Sequence, residues 1–143
     1  MEKPGHFSAA INNYEHFKPS TFAAGVQQPT GLLAVRLIIG ETQEEAERLA
    51  MPMRVSFKQR RKDNIMPQYL PTPEEAIELM GGLLPAETTP WPAYIIGSPE
   101  RIKTVVGRML SETGATELMV QDVIHDTELR MRNYELLAKT FEL

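Results

Sequence analysis

Leu32-Leu33-Ala34-Val35-Arg36-Leu37-Ile38-Ile39 is the stretch of sequence that decides the fold, because every residue in it except Arg36 is apolar. Eight residues suit a strand better than a helix, and Gly40 follows as a breaker. A strand that is apolar at nearly every position is typical of a parallel sheet with helices on both faces. We therefore expect residues 32–39 to form a buried strand of an α/β fold.

Two later segments are predicted as the other strands of the sheet. Residues 94–97 form a short strand, and residues 117–124 form a second buried one. Helical segments alternate with these strands, and this order is typical of right-handed crossovers between parallel strands. Because a sheet of three strands leaves apolar edges uncovered, we expect it to be completed by partner chains or by the rest of a larger fold.

Capping patterns predict where the helices begin. Two pairs have the Thr-x-x-Glu spacing of a capping box: Thr42 with Glu45, and Thr72 with Glu75. Ser98 stands before Pro99 and is a third predicted N-cap, and Asp126 is a fourth. The third helix then has apolar residues at the spacing of a core-facing stripe, namely Ile102, Val105, Val106, Met109 and Leu110.

Proline and glycine predict where the helices break or end. Pro52 lies inside the first of these helices and should kink or divide it. Gly81 and Gly114 follow helical segments and are predicted to end them. A further short helix is expected over residues 8–18, before Pro19.

The composition is that of one ordinary globular domain. The chain has 143 residues, of which 42% are hydrophobic and 24% charged, so we expect residues 1–143 to form a single domain. The formal net charge of −4 argues against a nucleic-acid partner, and the lack of cysteine excludes disulfides and thiolate-bound metals. Because no apolar run is long enough to span a bilayer and no signal peptide is evident, we expect a cytoplasmic protein without membrane contact.

One segment is unusually rich in proline. The sequence has 11 prolines, and many of them lie between Pro67 and Pro92. We expect residues 66–92 to form a lid or an arm that lies over another part of the protein. Trp91, Tyr94 and the methionines are candidates to line an apolar substrate cavity. For Met51, Met53, Met109 and Met119, core packing is the simpler interpretation.

Five segments together resemble the C-terminal part of the luciferase-like flavin-dependent monooxygenases. The clearest are YIIGSPE at residues 94–100, GATELMV at residues 114–120, and IHD with YELLA within residues 124–138. Two weaker ones lie upstream, YEHFKPS at residues 14–20 and IGETQEEA at residues 39–46. They occur in the order in which the family has them and extend over most of the chain.

The resemblance implies a fold, a reaction and a cofactor. The fold is a partial (β/α)8 (TIM) barrel, its C-terminal half with parallel strands and covering helices, because a whole barrel needs about 250 residues. The reaction is the oxygenation of a small organic substrate by O2 and reduced flavin, with FMN as the cofactor. The family's N-terminal half has no counterpart, so the alternative is a non-catalytic oligomeric half-barrel module, or a remnant that binds no flavin. In either case, exposed sheet edges predict a homodimer or a higher homo-oligomer.

Four residues are candidate cofactor contacts, and each has a simpler interpretation. His6 and Phe7 lie where the resemblance places a strand end near the flavin ring, whereas a frayed terminus is the simpler explanation. Gly97 and Ser98 stand at a helix start whose free N–H groups suit an anion, but capping alone explains this pattern too.

Other polar residues are candidates of lower weight. His125 and Asp126 follow the last strand, at the end where barrels place their active sites, or they are a loop residue and a helix cap. The histidines show no ligand spacing, so no metal site is expected. The basic run at residues 58–62 is better explained by a solvated helix end than by phosphate or nucleic acid. No catalytic residue is assigned.

Overall fold

A computed structural model describes residues 31–64, 66 and 68–142, together with residue 9. The elements of these described residues alternate between strands and helices. In chain order they are β1 (Leu32–Ile39), α1 (Gln43–Leu49), α2 (Met51–Arg61), α3 (Pro73–Met80), β2 (Ile95–Gly97), α4 (Pro99–Thr113), β3 (Glu117–Gln121) and α5 (Thr127–Phe141). Apart from residue 9, the helix expected over residues 8–18 lies outside the described residues.

The three strands form a parallel sheet with β1 in the middle. The last three residues of β1 pair with β2, from Leu37 opposite Ile95 to Ile39 opposite Gly97. The first five residues of β1 pair with β3, on the other side of β1. The predicted α/β fold with parallel strands is therefore confirmed. The order β2-β1-β3 departs from a barrel of consecutive strands, in which each strand neighbours the next one in sequence.

The prediction that β1 is buried on both faces is wrong for its first half. Leu33 and Val35 are buried, but Leu32 is 49% exposed, and Ala34 and Arg36 are also exposed. β3 is shorter than predicted, and none of its residues is buried. The reason is that α4 and α5 cover one face of the sheet along its length, whereas α1 and α2 cover the other face only at the carboxyl end of β1.

Two hydrophobic cores account for this uneven burial. One lies between the sheet and the last two helices: its β1 residues are Leu33, Val35, Leu37 and Ile39, and its helical residues include Ile102, Val106, Met109 and Leu137. The other lies on the opposite face, where Ile38 and Ile96 pack on Ala46, Leu49 and Met53. The stripe predicted for α4 is thus confirmed at residues 102, 105, 106 and 109, which are buried.

All four predicted N-cap residues begin helices in the structure, but their side chains make different hydrogen bonds. At α3, the hydroxyl of Thr72 and the carboxylate of Glu75 make both bonds of a capping box. At α1, Thr42 accepts the N–H of Glu45, but the carboxylate of Glu45 accepts the N–H of Glu41 instead of the N–H of the cap. Ser98 is the N-cap of α4 without any side-chain bond to the helix.

The breaks and stops also fall where proline and glycine predict them. Pro52 lies in the first turn of α2, and the stretch is divided into α1 and α2 at Ala50. Because proline has no N–H to donate, it is tolerated there and not in a helix interior. Gly81 and Gly114 end α3 and α4 in the left-handed conformation, with φ of 76° and 66°.

The proline-rich segment contains both a helix and a fixed loop. Within it, α3 buries Ala76 against Met51 and Val55 of α2. The loop after α3 is tied to the body by side chains of α1 and α2: Glu47 accepts the N–H of Ala86 at 2.9 Å, and Arg54 donates to the carbonyl of Pro85 at 2.9 Å. Within the described part of the chain, no helix is long and apolar enough to cross a membrane.

Candidate functional site

A large cleft opens along β1 and β3. Its volume is about 770 Å³, within the range of about 300–1,000 Å³ that is usual for small-molecule sites. β1 contributes residues 33–36, β3 and the residue after it contribute residues 119–122, and the loop before β2 contributes residues 91–93. The remaining wall comes from Ile95, Met109, Arg130 and Tyr134. The cleft therefore lies along the part of the sheet that is not covered by the core around Ile38 and Ile96.

The wall formed by residues 91–93 is held in place by polar contacts. The indole Nε1 of Trp91 donates to Oε2 of Glu112 at 2.7 Å, and the N–H of Ala93 donates to Oε2 of Glu87 at 3.1 Å. Arg108 and Arg101 of α4 donate to the carbonyls of Pro90 and Glu87. These contacts position Trp91 against the apolar core beneath it.

Two arginines face the cleft. Arg36 donates through Nε to Oε1 of Gln121 at 3.3 Å, and its guanidinium lies 5.4 Å from the ring centre of Tyr94. Arg130 donates through Nη2 to the hydroxyl of Thr127 at 3.4 Å. Neither arginine has an ion pair with any carboxylate of the described residues.

The acidic member of the cleft, Asp122, acts on a neighbouring tyrosine. A hydrogen bond with the Asp122 side chain raises the pKa of the Tyr134 hydroxyl, and partial burial raises it further. The phenol therefore keeps its proton to a higher pH than an ordinary tyrosine does. The Asp122 side chain also accepts the N–H of Ile124 at 3.4 Å, just beyond the end of β3.

Gly97 and Ser98 lie away from the cleft, and the space beside Gly97 is filled. A Cβ atom added to Gly97 would lie 2.4 Å from Cδ of Arg101 and 2.8 Å from Oε1 of Gln43. Nε of Arg101 donates to the carbonyl of Ile96 at 3.1 Å. The close approach explains why glycine stands there, and anion binding at Gly97 and Ser98 stays a prediction.

The other candidates named from sequence have varied outcomes. His6 and Phe7 lie outside the described residues. Asp126 is the N-cap of α5 and accepts the N–H groups of Glu128 and Leu129. Nδ1 of the neighbouring His125 is buried without a hydrogen-bond partner in the described part of the chain. There too, no three His, Asp or Glu side chains come close enough to hold a metal ion.

The apolar candidates are divided between the core and the cleft. Met51, Met53 and Met109 are buried as core residues, but Met119 is 55% exposed and lines the cleft. Trp91 also lines the cleft, whereas Tyr94 packs against the ring of Phe57 at a centroid distance of 5.2 Å. The basic residues at the end of α2 are exposed, as expected of a solvated helix end.

Sequence reasoning missed Arg36, Gln121 and Arg130 as site residues. The signal that was available is the charge of Arg36 in a strand whose other seven residues are apolar. It also missed Asn133, which is 2% exposed and accepts the N–H of Ile39 through Oδ1 at 2.8 Å. The available signal is its spacing, because Asn133 lies four residues from both Leu129 and Leu137, on the core-facing side of α5.

Comparison with known proteins relates the chain to part of a larger one. No protein-family model matches it, and no curated protein matches it. Among solved structures, it is similar to the crystal structure of apo-MsnO8, with a TM-score of 0.81 and 31% sequence identity. The similarity covers 96% of this chain and 41% of that one. The chain is thus a partial homologue of a larger protein and spans less than half of that protein's length.

Proposed function

We propose that this chain is the C-terminal part of a luciferase-like flavin-dependent monooxygenase and that its cleft forms part of the flavin and substrate site. The observation that carries the proposal is the open face of β1 and β3, which bears both apolar and charged residues above a well-packed core. Support comes from the five segments that resemble this family, in order, and from the homology to part of a larger protein.

The strand order is compatible with a barrel if β2 is not one of its strands. β1 and β3 are direct neighbours over five residue pairs, as two consecutive barrel strands would be. β2 has only three residues and pairs with the extreme carboxyl end of β1, so it belongs to the crossover between the two. In this arrangement α4 and α5 lie outside the barrel, and Ala34, Arg36 and Met119 face its interior.

The residues of the cleft fit a flavin better than the predicted contacts at Gly97 and Ser98 do. Trp91, Met119 and Tyr134 offer apolar surface to a flat ring system, and Arg36 and Arg130 offer charge to a phosphate. Bound FMN in its reduced form would supply two electrons to O2, of which one atom enters the substrate and the other leaves as water. The chain's part is to bind and orient the cofactor and to exclude water.

The site needs more polypeptide than the described residues provide. A cleft with one open side does not exclude water, and barrels build their sites from the ends of several strands. We propose that further polypeptide closes over the exposed face of β1 and β3. Residues 66–92 remain a proposed lid or arm, and two of them, Trp91 and Pro92, border the cleft.

A titration with FMN, oxidised and reduced, tests the proposal. The quenching of flavin fluorescence reports binding of the oxidised form. Binding of the reduced form is measured without O2, from the absorbance of the flavin that elutes with the protein. Saturable binding at micromolar concentration, lost in a Trp91→Ala variant but kept in a Tyr69→Ala variant, supports the proposal. Tyr69 is a suitable control because it is exposed and lies outside the cleft. Absence of saturable binding by either form contradicts it.

A second function is favoured by the apolar part of the same surface. Leu32 and Met119 are about half exposed on neighbouring strands, and β3 has no further strand beside it among the described residues. Such an edge is stabilised when another chain covers it. The alternative is therefore a non-catalytic module that assembles as a homodimer or a higher homo-oligomer and binds no flavin.

A further inference from the structure

We propose that Arg36 and Arg130 recognise the anionic group of an aromatic ligand in the cleft. The inference rests on the proposed function for naming that ligand as FMN, in which the anionic group is the phosphate. The recognition itself follows from charges and contacts that do not depend on the identity of the ligand.

The first argument is the charge balance of the cleft. Of the described residues that line it, only Arg36, Arg130 and Asp122 are charged. Oδ1 of Asp122 accepts the N–H of Ile124, and Oδ2 is buried without a hydrogen-bond partner among the described residues, so one negative charge stands beside two positive ones. The cleft is therefore positive within a chain whose net charge is −4, and such a local excess attracts anions.

The second argument compares the ion pairs and hydrogen bonds of these two arginines with those of other arginines in the described residues. Arg48 and Arg132 pair with carboxylates, and Arg54 and Arg101 donate to backbone carbonyls. By contrast, within the described residues Arg36 donates its Nε–H to the amide oxygen of Gln121 and contacts the side chain of Tyr94, and Arg130 donates to a hydroxyl at the long distance of 3.4 Å. Because a guanidinium has five N–H donors, most donors of both residues remain for a ligand.

The third argument is that Arg36 is held in position before any ligand binds. Its bond to Gln121 and its place over the ring of Tyr94 fix the guanidinium at the cleft wall. Gln121 is the residue opposite Arg36 in the parallel pairing, so the two strands position it together. An arginine that is already ordered loses less side-chain entropy on binding.

The test compares ligands that differ only in the anionic group. FMN and riboflavin share the ring system, and only FMN has a phosphate. We expect the full chain to bind FMN about tenfold more tightly than riboflavin, as one charge-assisted contact provides. Arg36→Gln and Arg130→Gln should each reduce this ratio severalfold by weakening FMN binding alone, and the corresponding Lys variants should retain part of it. Arg60→Gln, in a separate cavity, is the matched control.

The outcomes separate this inference from the proposed function. If FMN and riboflavin bind equally tightly, or if neither Gln variant changes the ratio of their affinities, the role of the arginines is overturned. Flavin binding itself is not contradicted by either outcome. If no flavin binds, the proposed function fails, and the same variants are measured with anilinonaphthalene sulfonate and with uncharged phenylnaphthylamine. Selective weakening of the anionic dye then supports recognition by the arginines, and equal effects on both dyes overturn it.

Discussion

At the scale of single residues, Gly40 shows how backbone contact fixes the junction between β1 and α1. A Cβ atom at this position would lie 2.5 Å from the backbone nitrogen of Ala46, which cannot move without the helix. We expect Gly40→Ala to lower the free energy of unfolding by about 1–3 kcal/mol. Urea denaturation followed by circular dichroism measures the change.

A second glycine provides the control for this prediction. Gly107 is exposed on α4, and nothing lies within 4 Å of a Cβ atom added there. Gly107→Ala should raise the stability by about 0.5–1 kcal/mol, because alanine loses less backbone entropy in a helix. If both substitutions change the free energy of unfolding equally, the backbone contact is not the reason that glycine is needed at position 40.

Asn133 makes a buried hydrogen bond between α5 and β1. Its Oδ1 accepts the buried N–H of Ile39, so Asn133→Leu leaves that donor without a partner. We expect a loss of about 1–3 kcal/mol in the free energy of unfolding, measured by urea denaturation. Met131→Leu, on an exposed position of the same helix, should change it by less than about 0.5 kcal/mol. A neutral Asn133→Leu would mean that the helix moves to let water reach Ile39.

At the scale of the elements, two helices with the same start pattern should respond differently to loss of the cap. Thr72-Pro73 and Ser98-Pro99 look alike in sequence, but only Thr72 bonds the helix backbone. Thr72→Ala should cost about 1 kcal/mol, and Ser98→Ala a few tenths at most. Thermal unfolding of both variants measures the difference. A Ser98→Ala variant as unstable as Thr72→Ala would contradict it.

The same pair shows what local sequence can and cannot predict. Helix starts and stops depend on neighbouring residues, so Thr72, Gly81 and Gly114 predict them correctly. The lack of a return bond at Ser98 is also local, because the third helical residue is Arg101 rather than an acceptor such as Glu75. The lack of a bond from the Ser98 hydroxyl to the helix backbone is not, because any residue at position 101 has an N–H to donate. The exposure of Met119 and Leu32 is not local, because it depends on which helices cover each face of the sheet. Arg36 was readable as an exception in an apolar strand, but its partner Gln121 is 85 residues away.

At the scale of the whole molecule, the open face of the sheet predicts self-association. Leu32 and Met119 are half exposed on adjacent strands, and burying them stabilises an assembly by roughly 25 cal/mol per Å² of apolar surface. We expect a homodimer or a higher homo-oligomer at micromolar concentration, measured by light scattering after size-exclusion chromatography. Met119→Glu should shift the protein toward the monomer, because the interface would bury an unpaired charge.

The matched control for this shift is Leu79→Glu, which places the same charge on α3 at a position that is 59% exposed and outside the cleft. It should leave the oligomer intact. A wild-type chain that is a compact monomer contradicts self-association altogether. If the oligomer forms and Met119→Glu leaves it unchanged, the contact lies on another surface, and the face of β1 and β3 stays accessible. Flavin titration of the oligomer and of the Met119→Glu monomer then tells whether assembly covers the cleft or completes it.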